Sequence, residues 1–240
     1  MRAVVLAGGM GARLGPFTAH FPKPLMPLDS AMPVLELLLR QLRAAGVVEI
    51  TLAVNHFHQL IRAYFGDGDR FGVRLDYRLE ETPLGTAGPL APMLADLGER
   101  FLVMNGDLLT TLDFRALLAD HDRAGAAATI AAVRRDIPLE FGVLRLTPEG
   151  ALSAYDEKPT LSHTVSMGCY VLQAAAAASF LSPGARMDMP DLLRAMAAAG
   201  LNVRAHVSDA FWLDIGRPED YAAAQAEFAR APERFLGGPV

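Results

Sequence analysis

Three glycines follow a short apolar run near the start of the chain, in Leu6-Ala7-Gly8-Gly9-Met10-Gly11-Ala12-Arg13-Leu14, and Pro22-Lys23-Pro24-Leu25 comes soon after. Glycines placed after a strand let the backbone approach a ligand closely, and successive amides in such a turn can point at phosphate oxygens. Arg13 adds a guanidinium fork that matches phosphate geometry. Lys23, held between two prolines, sits on a stiff segment with a defined direction. The glycines alone are equally consistent with a tight turn carrying surface cations; Arg13 and the Pro-Lys-Pro segment shift the balance toward anion binding. Two common phosphate loops are excluded. A dinucleotide fingerprint needs a glycine three residues after Gly11, where Leu14 stands, and a Walker A loop needs Gly-Lys-Ser/Thr, which the chain lacks.

A second group of polar residues, Asn105-Gly106-Asp107, follows the apolar run Phe101–Met104. A carboxylate at the end of a buried strand can hold Mg²⁺, which takes oxygen ligands and keeps several waters. An isolated Asp there could equally cap the next helix.

The elements that must position these groups alternate. The pattern predicts strands over Ala3–Leu6, Glu49–Val54, Val73–Leu79, Phe101–Met104 and Ala127–Val133. It predicts helices over Val34–Ala45 (stopped by Gly46), Gln59–Phe65, Ala87–Leu97 and Phe114–Ala124. This order argues for a Rossmann-like, doubly wound α/β fold: a mostly parallel sheet with helices on both faces, its short apolar strands buried on both sides. Ligands of such sheets sit beyond the carboxyl ends of the strands, where the turns after Leu6 and Met104 lie. The second half is less regular. A hairpin over Val143–Leu146 and Leu152–Tyr155 supplies a small additional antiparallel element. Strands follow over Val165–Leu172, Val203–Val207 and Phe211–Ile215, with helices over Asp191–Ala199 and Pro218–Arg230. The alanine runs at 174–178 and 197–199 fit helices. No long polar linker interrupts the chain, so residues 1–240 read as a single domain with a nucleotide-binding first half, 1–135.

Composition narrows the partners. The chain has 240 residues, of which 52% are hydrophobic and 20% charged, as in an ordinary globular protein. Its 22 basic and 27 acidic residues give a net charge of −5, without the basic cluster that a nucleic-acid partner needs. An anionic ligand must therefore be met locally, by backbone amides, a few cations or a metal. Cys169 is the only cysteine, so neither an internal disulfide nor a thiolate zinc site is expected. No apolar run is long enough to span a bilayer, and MRAVVLAGGMG reads as a strand and turn instead of a signal peptide. The cytoplasm is the expected location.

The stretch GGMGARLGPFTAHFPKPL resembles the signature of the sugar-1-phosphate nucleotidylyltransferases, and the resemblance extends through most of the chain, closest to the mannose- and heptose-1-phosphate guanylyltransferases. Glu80-Glu81-Thr82-Pro83-Leu84-Gly85-Thr86-Ala87 is similar to the family's base- and sugar-binding loop, and Asn105-Gly106-Asp107 to its metal site. Phe141-Gly142-Val143 and Glu157-Lys158-Pro159 are similar to its sugar-phosphate site, and Trp212-Leu213-Asp214-Ile215-Gly216 to its second metal-ligand segment. Each motif is weak alone; the ordered set is specific.

The resemblance implies an enzyme that joins a nucleoside triphosphate to a sugar 1-phosphate, of mannose or heptose type, by Mg²⁺-assisted in-line attack, releasing pyrophosphate. It implies catalytic roles for Arg13, Lys23 and Asp107, and nucleotide contacts from Leu6, Gly8, Gly9, Gly11, Ala12, Arg13, Glu80 and Gly85. Sugar-phosphate contacts come from Gly142, Glu157 and Lys158 in the second half, 136–240. Mg²⁺ is held by Asp107 and Asp214. No protein nucleophile is required, so alignment and charge stabilisation carry the catalysis. Glu80 favours GTP, because a carboxylate only accepts hydrogen bonds and guanine offers two adjacent donors; Glu81 beside it leaves the register open.

Plainer readings stand beside these. Glu157 and Lys158 could form an exposed ion pair, worth about 0–1 kcal/mol. Gly142 could mark a β-bulge, and Asp214 could pair with Arg217. His56 and His58 read as loop residues; Met187, Met189 and Met196 read as core or interface filler. Trp212 fits either the core or the sugar pocket. Ala12 stands where the family usually has Thr, which removes one hydroxyl contact to phosphate. Ser166-Met167 before Gly168 departs from the usual Asn or Thr and leaves the sugar unnamed. Three alternatives remain: a UTP- or dTTP-using relative, a non-catalytic nucleotide-sugar-binding regulator, and a polyol-phosphate cytidylyltransferase. The retained Arg13, Lys23, Asp107 and Asp214 argue against the regulator, and Glu157-Lys158-Pro159 with Trp212–Gly216 against the cytidylyltransferase. Self-association is left open.

Overall fold

Strand β1 (Arg2–Leu6) is apolar through its centre, and Ala3, Val4 and Val5 are completely buried. In a strand, successive side chains point to opposite faces. Ala3 and Val5 accordingly join one core cluster and Val4 a second, so β1 is covered on both sides. The computed structural model describes residues 1–9, 14, 15, 21–55 and 57–236.

Helix α1 (Val34–Ala44) follows and packs Leu35, Leu38, Leu39 and Leu42 onto the first face. Gly46, with φ of +85°, lets the chain leave the helix in the left-handed conformation, and its amide closes on Arg43 O at 2.9 Å. Next come β2 (Glu49–Val54), α2 (His58–Phe65), β3 (Arg74–Leu79), β4 (Arg100–Asn105), β5 (Leu108–Thr110) and α3 (Phe114–Arg123). Asp113 caps α3, accepting from Arg115 N at 2.9 Å and Ala116 N at 3.0 Å. Asp107 is therefore not needed as that cap.

The remaining elements are β6 (Ala128–Pro138), β7 (Val143–Leu146), β8 (Leu152–Asp156), β9 (Thr160–Gln173), α4 (Ala174–Ala178), α5 (Met189–Ala198), β10 (Val203–Ser208), β11 (Trp212–Asp214), α6 (Pro218–Arg230) and α7 (Glu233–Leu236). Seven strands form one sheet in the order β10-β6-β9-β4-β1-β2-β3. β4, β1, β2 and β3 run parallel, as do β6 and β10, while β9 lies antiparallel between the two groups. This is the expected mostly parallel α/β sheet, and β7 with β8 forms the expected small antiparallel element. A third core cluster, with Leu28, Leu109, Ile215, Phe228 and Phe235, packs α6 and α7 beside the sheet.

Three local expectations need correction. The segment predicted as an α-helix over Ala87–Leu97 is a 3-10 helix over Gly88–Asp96. Pro92 lies inside it and has no amide to donate to an α-helical ladder. The strands predicted over Ala127–Val133 and Val165–Leu172 are longer: β6 runs on to Pro138 and β9 starts at Thr160. Their outer parts, with Arg134, Arg135, Asp136, Ser162 and His163, are exposed and pair only with each other, so no apolar pattern marks them. Strand β5 was not anticipated. It pairs with β11, which fills the middle of the strand predicted over Phe211–Ile215.

Candidate active site

β1 stops at Leu6, and the chain turns through Ala7, Gly8 and Gly9 at the carboxyl end of the parallel strands. Neighbouring strands tie this turn down. Ala7 N donates to Ala53 O at 2.8 Å, and Asn55 Nδ2 donates to Gly8 O. On the other side, Gly106 N donates to Leu6 O at 2.9 Å. A Cβ on Gly106 would stand only 3.0 Å from that oxygen, so glycine permits the turn after β4 to sit directly on the end of β1. Gly168 plays the same part from β9. Its φ is +73°, and a Cβ there would lie 2.6 Å from Asn105 Nδ2.

These approaches leave a cleft of about 510 Å³ whose wall includes Leu6, Gly8, Gly9, Lys23, Glu80, Gly85 and Asp107. The glycine turn, the Pro-Lys-Pro lysine, the Glu80 loop and the strand-end carboxylate thus border one cleft. Gly11, Ala12 and Arg13 lie outside the described residues, as does His56.

Lys23 sits on a short 3-10 turn over Lys23–Leu25 and is buried, 8% exposed. Its ammonium donates to Asp107 Oδ2. Lys23 is one of five buried polar or charged side chains among the described residues. Asp107 Oδ1 is buried without a hydrogen-bond partner. Such an orphaned oxygen is costly and marks a place where a cation or donor would be accepted.

Asp214 reaches the same neighbourhood by the unanticipated β5–β11 pairing. Its Cα partner is Leu108, and Ile215 N donates to Asp107 O at 3.0 Å. Two carboxylates 107 residues apart in sequence therefore come from adjacent backbone positions. Trp212 holds this strand in place: its Nε1 donates to Met167 O at 2.9 Å, and its ring packs against the first core cluster. Arg217, one candidate partner for Asp214, is engaged by Glu219 at 3.8 Å and by Asp220, whose carboxylate accepts from its amide.

Glu80 is drawn partly into its own loop. Its amide donates to Val54 O at 2.8 Å, and its Oε1 accepts from Leu84 N at 2.6 Å. One carboxylate oxygen thus shapes the loop, and the other remains to accept from a ligand. Gly85 has φ of +80°.

Gly142, Glu157 and Lys158 are not among the residues lining this cleft. They gather instead on the hairpin side. Glu157 lines a second, more open cavity with Tyr155 and Pro159, and a Cβ on Gly142 would meet Tyr155 Oη at 2.3 Å and Glu157 Oε2 at 3.0 Å. The bulge in this hairpin falls between Arg145 and Leu146, not at Gly142, so close approach is what requires the glycine. Lys158 has φ of +45°, the only described non-glycine residue with positive φ. Strained backbone of this kind concentrates at functional sites.

Sequence reasoning missed Asn55, which pins the Gly8 carbonyl, and Asp188, which reaches the Glu80 loop from the start of α5. An Asn at a strand end and an Asp before a helix are too common to stand out. Met187 packs partly buried against the second core cluster, and its carbonyl accepts from Ala87 N and Gly88 N at 2.9 and 3.0 Å. Met189 and Met196 are core residues, and His58 begins α2 with Nδ1 near Asn55 O.

The architecture places the chain first among doubly wound α/β proteins that share their fold with solved nucleotidyltransferases. A Bacillus anthracis protein assigned as a glucose-1-phosphate thymidylyltransferase superposes with a TM-score of 0.77, covering 95% of this chain and 94% of that one at 24% identity. HddC from Yersinia pseudotuberculosis gives 0.73, covering 95% and 99% at 25% identity. The chain belongs to the nucleotidyl transferase family, which it matches over residues 2–231. Mannose-1-phosphate guanylyltransferase of Mycobacterium tuberculosis is 33% identical over 98% of this chain and 67% of its own length. Mannose-1-phosphate guanylyltransferase 1 of Arabidopsis thaliana is 30% identical over 100% and 69%. The chain thus spans about two thirds of the length of these relatives.

Proposed function

We propose that this protein is a sugar-1-phosphate nucleotidylyltransferase that uses GTP and a mannose- or heptose-type sugar 1-phosphate, releasing pyrophosphate. The observation that carries the reading is the shared cleft: the glycine turn after β1, buried Lys23 and Asp107 at the end of β4 all border it. A sugar phosphate is already an anion and needs no base to activate it. The obstacle is repulsion between two anions, which fixed positive charge and oriented amides offset. Lys23 supplies a fixed cation inside the cleft, and the Gly8–Gly9 backbone lies where a triphosphate can approach it. Arg13 is assigned to the same phosphates by its place in the motif.

Asp107 and Asp214 fit a Mg²⁺ ion. Both offer carboxylate oxygens, their backbones are adjacent, and Asp107 Oδ1 is buried with nothing to accept from. When bound, the ion would neutralise phosphate charge. Glu80 supports guanine because its free oxygen accepts from a base that presents donors. The guanylyltransferase names of the relatives point the same way. Gly142, Glu157 and Lys158 are assigned to the sugar phosphate, in keeping with their grouping and the strained backbone at Lys158. We assign the whole chain to one domain, with residues 1–135 taking the nucleotide and 136–240 the sugar phosphate. No helix among the described residues is long and apolar enough to cross a membrane, and we place the enzyme in the cytoplasm.

A panel of nucleoside triphosphates against sugar 1-phosphates, read by pyrophosphate release, tests this reading. GTP with mannose 1-phosphate or a heptose 1-phosphate should give the highest kcat/KM. A preference for UTP or dTTP would overturn the base assignment. Binding of nucleotide sugar without any pyrophosphate release would make the protein a regulator. Arg13→Ala should lower turnover by roughly 10³; near-normal activity would remove Arg13 from the site.

A further inference from the structure

The loop that carries Glu80 and Gly85 is locked from the far half of the chain by an exchange of hydrogen bonds. Asp188 occupies the N-cap position of α5, yet its side chain makes no bond to its own helix. Its Oδ1 accepts instead from Thr86 N at 3.2 Å. In return, Thr86 Oγ1 accepts from Met189 N, the first amide of α5, at 2.7 Å. A capping box normally satisfies the orphan amides of one helix reciprocally within four residues. Here the reciprocity crosses 102 positions of sequence, and each segment caps the other.

The backbone reinforces the lock. Met187 N donates to Leu84 O at 2.9 Å, and Met187 O accepts from Ala87 N and Gly88 N. A Cβ on Gly85 would lie 2.5 Å from Met187 O and 2.6 Å from Asp188 Oδ1, so the two segments are in backbone contact there. Behind them, Met189, Leu192 and Met196 are buried with Leu90 and Met93 in the second core cluster. Arg186 holds the other Asp188 oxygen at 3.1 Å. The amides of Leu84 and Thr86 are therefore both spent inside the protein, on Glu80 and Asp188. That fixes the direction of the peptide units around Gly85, which borders the cleft.

We propose that Thr86 and Asp188 are positioning residues for the nucleotide: their exchange holds the Glu80–Gly85 loop in the conformation that receives the base. This inference rests on the functional reading above, and it adds that nucleotide recognition depends on the start of α5. Neither residue is assigned a contact to the reacting atoms.

The test is a set of four single variants of the full chain, Thr86→Val, Thr86→Ser, Asp188→Ala and Asp188→Asn, and one double variant, with KM measured separately for the triphosphate and the sugar phosphate. Direct titration with the triphosphate alone supplies a second readout. Val keeps the shape of Thr but cannot accept from Met189 N; Ser and Asn keep the acceptors. Thr86→Val and Asp188→Ala should each raise the triphosphate KM and Kd about tenfold, the equivalent of about 1.4 kcal/mol, with the sugar-phosphate KM within about twofold. Ser and Asn should restore both values to within about threefold. The Thr86→Val, Asp188→Ala double variant should fall well short of the product of the single effects, because both remove one exchange. An unchanged triphosphate KM in the single variants, or equal rises in both KM values, overturns the proposal and leaves a purely structural contact. If Asp188→Ala does not fold, Thr86→Val decides the matter alone. Wild-type protein that neither binds nor turns over any triphosphate would defeat the functional reading itself, an outcome distinct from these.

Discussion

Replacing Asp107 by Asn removes the countercharge of a buried ammonium while keeping the shape of the side chain. The Lys23 side chain is 9% exposed and that of Asp107 is 24% exposed. Breaking a buried ion pair by neutralising one partner costs about 3–5 kcal/mol, because the remaining charge is left without compensation. The partial exposure of Asp107 and the acceptor oxygen that Asn retains reduce this, and we expect a loss of about 2–3 kcal/mol. For a chain of this length that is a fall of about 4–12 °C in melting temperature. The chain has a single tryptophan, Trp212, packed against the core, so urea unfolding followed by its fluorescence reads the change directly. Adding Lys23→Met to Asp107→Asn removes the stranded ammonium. The double variant should therefore be more stable than Asp107→Asn alone, yet remain without turnover, since both residues belong to the proposed site. Stability regained without activity is the signature. The reasoning fails if Asp107→Asn unfolds at the wild-type urea concentration, or if the double variant is no more stable than the single one.

Gly168→Ala places a methyl group 2.6 Å from Asn105 Nδ2 at φ of +73°; we expect a loss of about 2 kcal/mol or more and a drop in turnover, measured by urea unfolding and pyrophosphate release. His121 is completely buried, with Nδ1 at 2.9 Å from Thr129 Oγ1, and burial lowers its pKa. The unfolded chain then binds more protons, so the stability from the neutral ring is present above the unfolded pKa of about 6.5 and falls as the pH drops below it. His121→Gln should flatten the decline in unfolding free energy between pH 7.5 and 5.5; an unchanged decline would refute the assignment. Trp212→Phe removes the bond to Met167 O and should cost about 1 kcal/mol, with Mg²⁺ half-saturation moving to higher concentration if this bond helps to hold Asp214; an unmoved metal titration would remove Trp212 from that role.

Much of the fold was readable because buried parallel strands announce themselves. Ala3–Leu6, Glu49–Val54 and Phe101–Met104 are apolar runs bounded by turns, and the first and last lead directly into the polar groups of the cleft. The outer parts of β6 and β9 were not readable. Each is solvated and pairs only with the other, so backbone bonding, not burial, defines them. β5 is three residues long and meaningful only through β11, about 100 positions away. The same separation hid Asp188, whose partner Thr86 lies in the other half of the chain. The Pro92 break was visible in composition but outweighed by the apolar spacing around it. At the cleft, the strand pattern placed the turns after Leu6 and Met104 at the carboxyl end of the sheet, and the Glu80 loop was placed by the family resemblance alone. Neither foretold that Glu80 would spend an oxygen on Leu84 N, or that Lys23 would rest on Asp107.

β9 runs opposite to both of its neighbours and joins them, since β4 and β6 touch each other nowhere along their ladders. A ribosome emits this strand only after β1 to β8 have been made. Until then β4 has one unpaired border, and β6, whose other neighbour β10 is made later still, has no sheet partner at all; such unpaired amides and carbonyls invite association with other chains. Folding must wait for a distant segment to slot between them, a high-contact-order step that slows collapse to the native state. A truncation ending before Thr160 would therefore be not a smaller working piece but a sticky one, and overexpression should favour inclusion bodies whenever synthesis stalls short of that point.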